Sequence, residues 1–156
     1  MELPRDWQEF LSSLNARKVK YLVVGAHALA AHGVPRYTAD LDVWVANDPA
    51  NARRVLAALD DFGFSGLTGL GVEDFENPEM VVMLGRPPLR IDLLTSISGC
   101  AFEAAWKRRL RATLGGERVG VLSREDLVAN KRAAGRPKDL LDLELLRGLP
   151  KSKNKR

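Results

Sequence analysis

The stretch "RYTADLDVWV", residues 36–45, places two carboxylates at the entrance of an apolar strand. Side chains alternate between the two faces of a strand, so Asp40 and Asp42 point to the same face. The opposite face is aliphatic and consists of Leu41, Val43 and Val45. An ionised carboxylate beside a core costs free energy unless it is paired or binds a cation. The pattern indicates a cation site, and the alternative is an edge strand whose aspartates face water.

A second strand repeats this arrangement. "LRIDLLT", residues 89–95, puts Arg90 and Asp92 on one face and aliphatic side chains on the other. Three carboxylates brought together would repel one another and raise one another's pKa. Mg²⁺ prefers carboxylate, water and phosphate oxygens, and two such ions can hold an attacking and a leaving oxygen. Asp40, Asp42 and Asp92 are therefore candidate ligands of Mg²⁺.

Small residues precede the strand of Asp40 and Asp42, at a strand-to-helix junction. In "VVGAHALAA", Gly25 and Ala26 follow an apolar run and open an alanine-rich segment. Small side chains there let a phosphate approach the backbone N–H groups at the start of a helix. A glycine that only ends a strand is the alternative interpretation. The junction lies fifteen residues before Asp40, which favours a shared site.

Hydrophobic periodicity predicts an α/β fold with a mixed central sheet flanked by helices and a C-terminal helical pair. The expected helices are 5–17, 26–33, 48–63, 101–110, 124–134 and 137–148. The expected strands are 20–25, 40–45, 80–85, 89–95 and 117–123. A glycine-rich acidic loop is expected at 66–79. We predict one domain over residues 1–148 and a basic, disordered tail over residues 149–156.

The composition is typical of a soluble globular domain. Of the 156 residues, 46% are hydrophobic and 28% are charged, as is ordinary for such domains. No apolar run approaches the roughly 20 residues that a membrane span needs, and the N-terminus has no apolar signal region. Cys100 is the single cysteine, so no internal disulfide can form. These features predict a cytoplasmic protein without a membrane partner.

Charge is unevenly distributed along the chain. Residues 1–99 contain 9 Lys and Arg against 13 Asp and Glu, a net charge of −4. Residues 100–156 contain 15 Lys and Arg against 7 Asp and Glu, a net charge of +8. The second part is basic enough to attract a polyanion. A solvated basic surface with no partner is the alternative.

These motifs together resemble the DNA polymerase β-type nucleotidyltransferase superfamily. The resemblance matches Gly25 and Ala26 to the family's glycine-serine step, Asp40 and Asp42 to its metal-binding pair, and Asp92 to its third carboxylate. It implies that two Mg²⁺ ions and an NTP bind at these residues. Ala26 departs from the pattern because it lacks the serine hydroxyl, so only backbone donors remain there.

The chain also resembles a narrower group, the bacterial minimal nucleotidyltransferases and the AbiEii-type toxin nucleotidyltransferases. In that group a basic residue lies two before the third carboxylate, and Arg90 takes this place. A later lysine and a final aspartate match Lys131 and either Asp139 or Asp142, between which the sequence does not decide. The segments that carry the resemblance are "HGVPRYTADLDVWV", "LGRPPLRIDLLTSISGCAFEAAW" and "VLSREDLVANKRAAGRPKDLLDLELL".

Five further side chains have competing interpretations. Lys131 shares a helical stripe with apolar residues, so it either contacts phosphate or extends to water from the edge of the core. Arg36 is either a bidentate phosphate clamp or a surface arginine in a loop. Trp44 is expected to pack in the core rather than stack on a base, and His32 to be a satisfied helix histidine. His27 lies beside the phosphate step, where a nucleotide contact is the less favoured interpretation.

The resemblance implies transfer of a nucleoside monophosphate from an NTP to a hydroxyl. Asp40, Asp42 and Asp92 would act through the metals, and Lys131 and Arg36 would stabilise phosphate charge. Gly25, Ala26, Arg90 and Asp139 complete the expected nucleotide site. The expected acceptor is RNA, a tRNA end in a toxin–antitoxin-like system. The alternatives are a partner toxin or antitoxin protein that is AMPylated, an aminoglycoside, or a non-catalytic module that only binds a nucleotide or a partner.

Overall fold

The computed structural model describes residues 3–63, 69–86 and 89–149, with the main chain alone at position 86. The strands are β1 Tyr21–Val24, β2 Asp40–Val45, β3 Val81–Arg86, β4 Leu89–Leu94, β5 Leu110–Leu114 and β6 Glu117–Val121. The helices are α1 Arg5–Ala16, α2 Gly25–Ala31, α3 Pro49–Phe62, α4 Val72–Glu76, α5 Phe102–Lys107, α6 Arg124–Ala134 and α7 Pro137–Arg147.

All six described strands form one sheet in the order β3-β4-β2-β1-β6-β5. The pairs β2–β4 and β1–β6 are parallel, and β1–β2, β3–β4 and β5–β6 are antiparallel. The prediction of a mixed sheet is therefore confirmed. Strand β3 pairs with one side of β4 as an antiparallel edge strand, and β2 pairs in parallel with the other side.

The aliphatic face of β2 lies in the core. Leu41, Val43 and Val45 are completely buried, whereas Asp40 and Asp42 are partly exposed. Burial of each such aliphatic side chain contributes about 1.5–3 kcal/mol. This burial fixes the register of β2, because a slip by one residue would turn the carboxylates into the core.

Local capping signals place two of the helices as expected. The Asp48 side chain accepts a hydrogen bond from the Asn51 amide at 3.0 Å, and Gly63 ends α3 in the left-handed conformation. The Ser123 hydroxyl accepts one from the Asp126 amide at 3.1 Å and starts α6. Helices α6 and α7 pack against each other, so the predicted C-terminal helical pair is confirmed.

The structure corrects two boundaries. The helix expected over 101–110 ends at Lys107, and Leu110–Leu114 forms β5 instead. Apolar and polar residues alternate there with the period of two that a strand requires. The loop expected at 66–79 contains the short helix α4. Residues 64–68 of that region and most of the predicted tail, 150–156, lie outside the described residues.

Helices of the described ranges are all too short or too polar to cross a membrane.

Candidate functional site

The carboxylates of β2 and β4 lie side by side on one face of the sheet. The parallel register pairs Asp40 with Arg90 and Asp42 with Asp92. Directly paired residues in neighbouring strands project to the same face. The structure therefore brings together the four charged residues that strand alternation had assigned to one face of each strand.

Arg90 partly neutralises this cluster. Its Nε donates a hydrogen bond to Asp92 Oδ1 at 3.0 Å, and its second guanidinium nitrogen lies 3.4 Å from Asp40 Oδ2. Burial, together with the negative charges of Asp92 and Asp40, raises the pKa of Asp42 to about 6. Arg90 forms ion pairs with Asp40 and Asp92 but not with Asp42.

The donor set has the chemistry that Mg²⁺ requires. All three carboxylates present hard oxygen ligands, and the raised pKa of Asp42 indicates that a cation would stabilise its ionised form. Arg90 bridges Asp40 and Asp92 in this structure. The fit to Mg²⁺ is one of donor chemistry, because across the described ranges no three His, Cys, Asp or Glu side chains are arranged, as they stand, to hold a metal ion.

Gly25 makes room for the Asp42 carboxylate. Its φ of +69° lies in the left-handed region, and a Cβ at this position would collide with Asp42 Oδ2. Only glycine therefore fits without displacing Asp42. The sequence pattern had linked Gly25 to phosphate approach alone, and this direct contact with the carboxylate is an additional constraint.

Asp40 and Asp42 face a cleft of about 600 Å³ whose lining does not include Asp92. Its size is typical of small-molecule sites. Gly25, Ala26, Asp40 and Asp42 contribute to its lining. Four cationic side chains also line it, namely Arg36, Lys131, Arg136 and Lys138. Carboxylates and cations on one cleft suit a ligand that is itself anionic and carries bound metal ions.

Three of these cations pair with two buried aspartates in one ion network. Lys131 Nζ lies 3.3 Å from Asp139 Oδ1 and 3.1 Å from Asp142 Oδ2. Both aspartates are 0% exposed, and Lys131 is 5% exposed. Arg36 pairs with Asp142, and Arg136 pairs with Asp139 at 2.6 Å. Lys131 of α6 is therefore held by two aspartates of α7 and does not extend into water.

The same network contains both aspartates between which the sequence does not decide. Hydrogen bonds from Arg136, with those from Lys131, lower the pKa of Asp139 to about 2. Asp142 lines the cleft and holds both Arg36 and Lys131, while Asp139 is covered behind it. Both aspartates thus position cations. Arg136 was not among the expected site residues, although the "GRPKD" segment clusters charge at the start of α7.

Aromatic and histidine side chains near the site are mostly structural. Trp44 is 1% exposed and meets Phe102 edge-on with ring centroids 5.0 Å apart, which confirms its expected place in the core. His32 Nε2 lies 2.8 Å from the Leu122 carbonyl oxygen, as expected of a satisfied histidine. Burial lowers the pKa of His27, whose Nε2 has no hydrogen-bond partner in the described part of the chain.

The sheet order and the paired carboxylates define a nucleotidyltransferase-like fold. This fold also occurs in a solved structure from Thermotoga maritima, described as a "putative nucleotidyltransferase". That protein is 19% identical, the match covers 94% of this chain and 93% of the other, and the TM-score is 0.57. At such low identity the likeness shows the fold alone.

Residues 2–147 match the family model described as "Nucleotidyltransferase of unknown function (DUF6036)". The chain therefore belongs to this family. Comparison with curated proteins finds no match.

Proposed function

We propose that the protein transfers a nucleoside monophosphate from an NTP to a hydroxyl acceptor in a Mg²⁺-dependent reaction. The acceptor oxygen forms a bond to the α-phosphorus, and the bond from that phosphorus to the oxygen bridging the β-phosphate breaks. Pyrophosphate leaves, and the hydroxyl proton passes to a base. The observation that carries the proposal is the register of β2 and β4, which pairs Asp42 with Asp92 beside the cleft.

The three aspartates have different proposed roles in binding the metal ions. Asp40 and Asp42 would hold both Mg²⁺ ions, and Asp92 would hold the catalytic one. When bound, Mg²⁺ neutralises phosphate charge and lowers the pKa of the acceptor hydroxyl. Asp92 would also accept the hydroxyl proton. Arg90 holds the carboxylates in position through its contacts with Asp40 and Asp92.

The cationic side of the cleft would bind the triphosphate. Gly25 and Ala26 allow phosphate oxygens close to the backbone, because neither has a large side chain. Arg36 and Lys131 would stabilise charge on the phosphates, which is the dominant contribution in this class of reaction. The buried Asp142 orients both cations, since each pairs with it. Asp139 supports the nucleotide site from behind through Lys131.

RNA is the proposed acceptor, specifically a tRNA end in a toxin–antitoxin-like system similar to that of the minimal and AbiEii-type enzymes. The net charge of +8 over residues 100–156 supports it, because a polyanion would be attracted to this part of the chain. The proposed RNA acceptor supports a cytoplasmic reaction. The unpaired Cys100 agrees with a reducing compartment.

A protein hydroxyl is the second candidate acceptor. It is favoured by exposed leucines on α7, where Leu140, Leu141 and Leu145 are 50%, 56% and 44% exposed. Apolar side chains grouped on a surface often mark a protein partner. In this case the enzyme would AMPylate a partner toxin or antitoxin.

Labelled transfer distinguishes the acceptors. Each NTP carrying a labelled α-phosphate is incubated with Mg²⁺ and the protein, together with total RNA, lysate proteins or aminoglycosides. We expect label on RNA, and no label when Asp42→Asn replaces the wild type. Label on a polypeptide would replace RNA with the protein acceptor. A failure to label any of the three pools would favour a non-catalytic nucleotide- or partner-binding module.

A further inference from the structure

We propose that an arginine-lined groove on the β5–β6 hairpin binds the phosphate backbone of the RNA acceptor, an inference that rests on the proposed function. The groove has a volume of about 500 Å³ and is lined by Arg109, Arg111 and Arg118. Arg111 and Arg118 are exposed. Three cations around one groove form a strongly positive surface, which a row of phosphates would neutralise.

The groove opens on the same face of the sheet as the carboxylates. Arg111 pairs with Gly120 across the hairpin, so both project to one face. A Cβ at Gly120 would lie 3.2 Å from Leu22 Cδ2, which places Leu22 on that face too. Leu22 pairs with Trp44, and Trp44 shares its face of β2 with Asp42. The groove and the carboxylates therefore lie on the same side of the sheet, with Leu22 and Trp44 buried between them.

The distance favours a polymer over a free phosphate compound. Strands β2 and β5 are three strand spacings apart in the sheet order, which corresponds to about 14 Å. One nucleotide bound at Asp42 would not also reach the groove. A nucleic acid strand has a phosphate at every residue, so it would contact both places at once.

Arg109 is oriented before any ligand binds. Its guanidinium carbon lies 3.8 Å from the centroid of the Trp106 ring, and Nη1 donates a hydrogen bond to the Trp106 carbonyl oxygen at 2.8 Å. The side chain passes over Gly120, where a Cβ would approach Arg109 Cδ to 2.9 Å. A stacked, planar guanidinium loses little freedom when it binds phosphate.

The groove arginines differ from several other arginines in how their charge is balanced. Arg36, Arg90, Arg108 and Arg136 all form ion pairs with aspartates. No carboxylate within residues 3–63, 69–85 and 89–149 pairs with the three arginines of the groove. Their positive charge therefore remains available to an external anion.

The test measures binding of fluorescently labelled, unfractionated tRNA by anisotropy across a series of salt concentrations. The double variant Arg111→Ala, Arg118→Ala removes two exposed groove charges. The matched control, Arg53→Ala, Arg54→Ala, removes two exposed charges from α3. We expect the groove variant to bind more weakly. Its plot of log K against log salt should also be less steep, with the magnitude of the slope reduced by about 1.4–1.8, which corresponds to two lost phosphate contacts. The control should keep the wild-type slope.

Equal slopes in the groove variant and the control, or no tRNA binding by the wild type at low salt, would overturn the inference. Thermal melts monitored by circular dichroism check that both variants fold as the wild type does. Labelling of RNA with NTP is measured separately on the same preparations. Loss of tRNA binding in the groove variant supports the groove even if the wild type labels no RNA, and that second result would count against the proposed function alone.

Discussion

Replacing Asp139 by asparagine tests whether the buried ion network holds α6 and α7 together. The Asp139 carboxyl is 0% exposed, and hydrogen bonds from Arg136 and Lys131 lower its pKa from 3.8 to about 2. This lowering corresponds to on the order of 2 kcal/mol in favour of the ionised folded state. Removal of one partner from a buried pair costs about 3–5 kcal/mol, but Lys131 keeps Asp142, and Arg136 reaches water. We expect Asp139→Asn to lower the free energy of unfolding by about 2–3 kcal/mol at pH 7.

This loss should depend on pH with a definite sign. A carboxyl whose pKa falls on folding stabilises the protein above its unfolded pKa of 3.8 and loses that contribution as the pH falls toward about 2. Urea unfolding should show the full difference from wild type at pH 7 and about half of it at pH 3. Asp61→Asn is the matched control, because it removes an exposed pair with Arg17 and should cost much less. A loss no larger than the control, or one that does not change between pH 7 and pH 3, would refute this reasoning.

Four further substitutions probe the site. Asp40→Asn or Asp42→Asn should abolish nucleotidyl transfer. The melting temperature without Mg²⁺ should stay at or above the wild-type value, because a like charge is removed. An unfolded variant would show that the carboxylate is structural. Gly25→Ala should lower the free energy of unfolding by more than Gly116→Ala does. Both glycines have a positive φ, but only Gly25 faces a collision with Asp42, so equal losses in urea unfolding would contradict the close contact. Lys131→Ala should cost about 3–5 kcal/mol of stability, because it leaves carboxylates buried without their lysine, and it should also raise KM for NTP; normal transfer by the folded variant would remove Lys131 from the nucleotide site.

Strand alternation predicted which residues share a face, because that property is local. Asp40 and Asp42 lie on one face of β2, as the period of two requires. The capping residues Asp48 and Ser123 likewise marked helix starts, because each side chain bonds an amide only three residues away. Local geometry of this kind can be predicted because it depends on residues only a few positions apart in the sequence.

Contacts between distant segments could not be predicted in the same way. The pair of Arg36 with Asp142 joins residues 106 positions apart, and the packing of Gly25 against Asp42 depends on how β1 and β2 are paired. Neither contact leaves a periodic pattern in the sequence. Strand β5 was missed because arginines next to α5 fit the end of a helix as well as the polar face of a strand.

The most direct test of the central claim follows the two ends of the triphosphate. Total RNA and Mg²⁺ are incubated with NTP labelled at either the α- or the γ-phosphate, using the wild type and Asp92→Asn, whose fold is checked by circular dichroism. If the paired carboxylates of β2 and β4 catalyse nucleotidyl transfer to RNA, α-label will enter RNA and γ-label will appear only in pyrophosphate. Both signals will be lost without Mg²⁺ and in Asp92→Asn. Entry of γ-label into RNA, or undiminished α-labelling by Asp92→Asn, would contradict the claim.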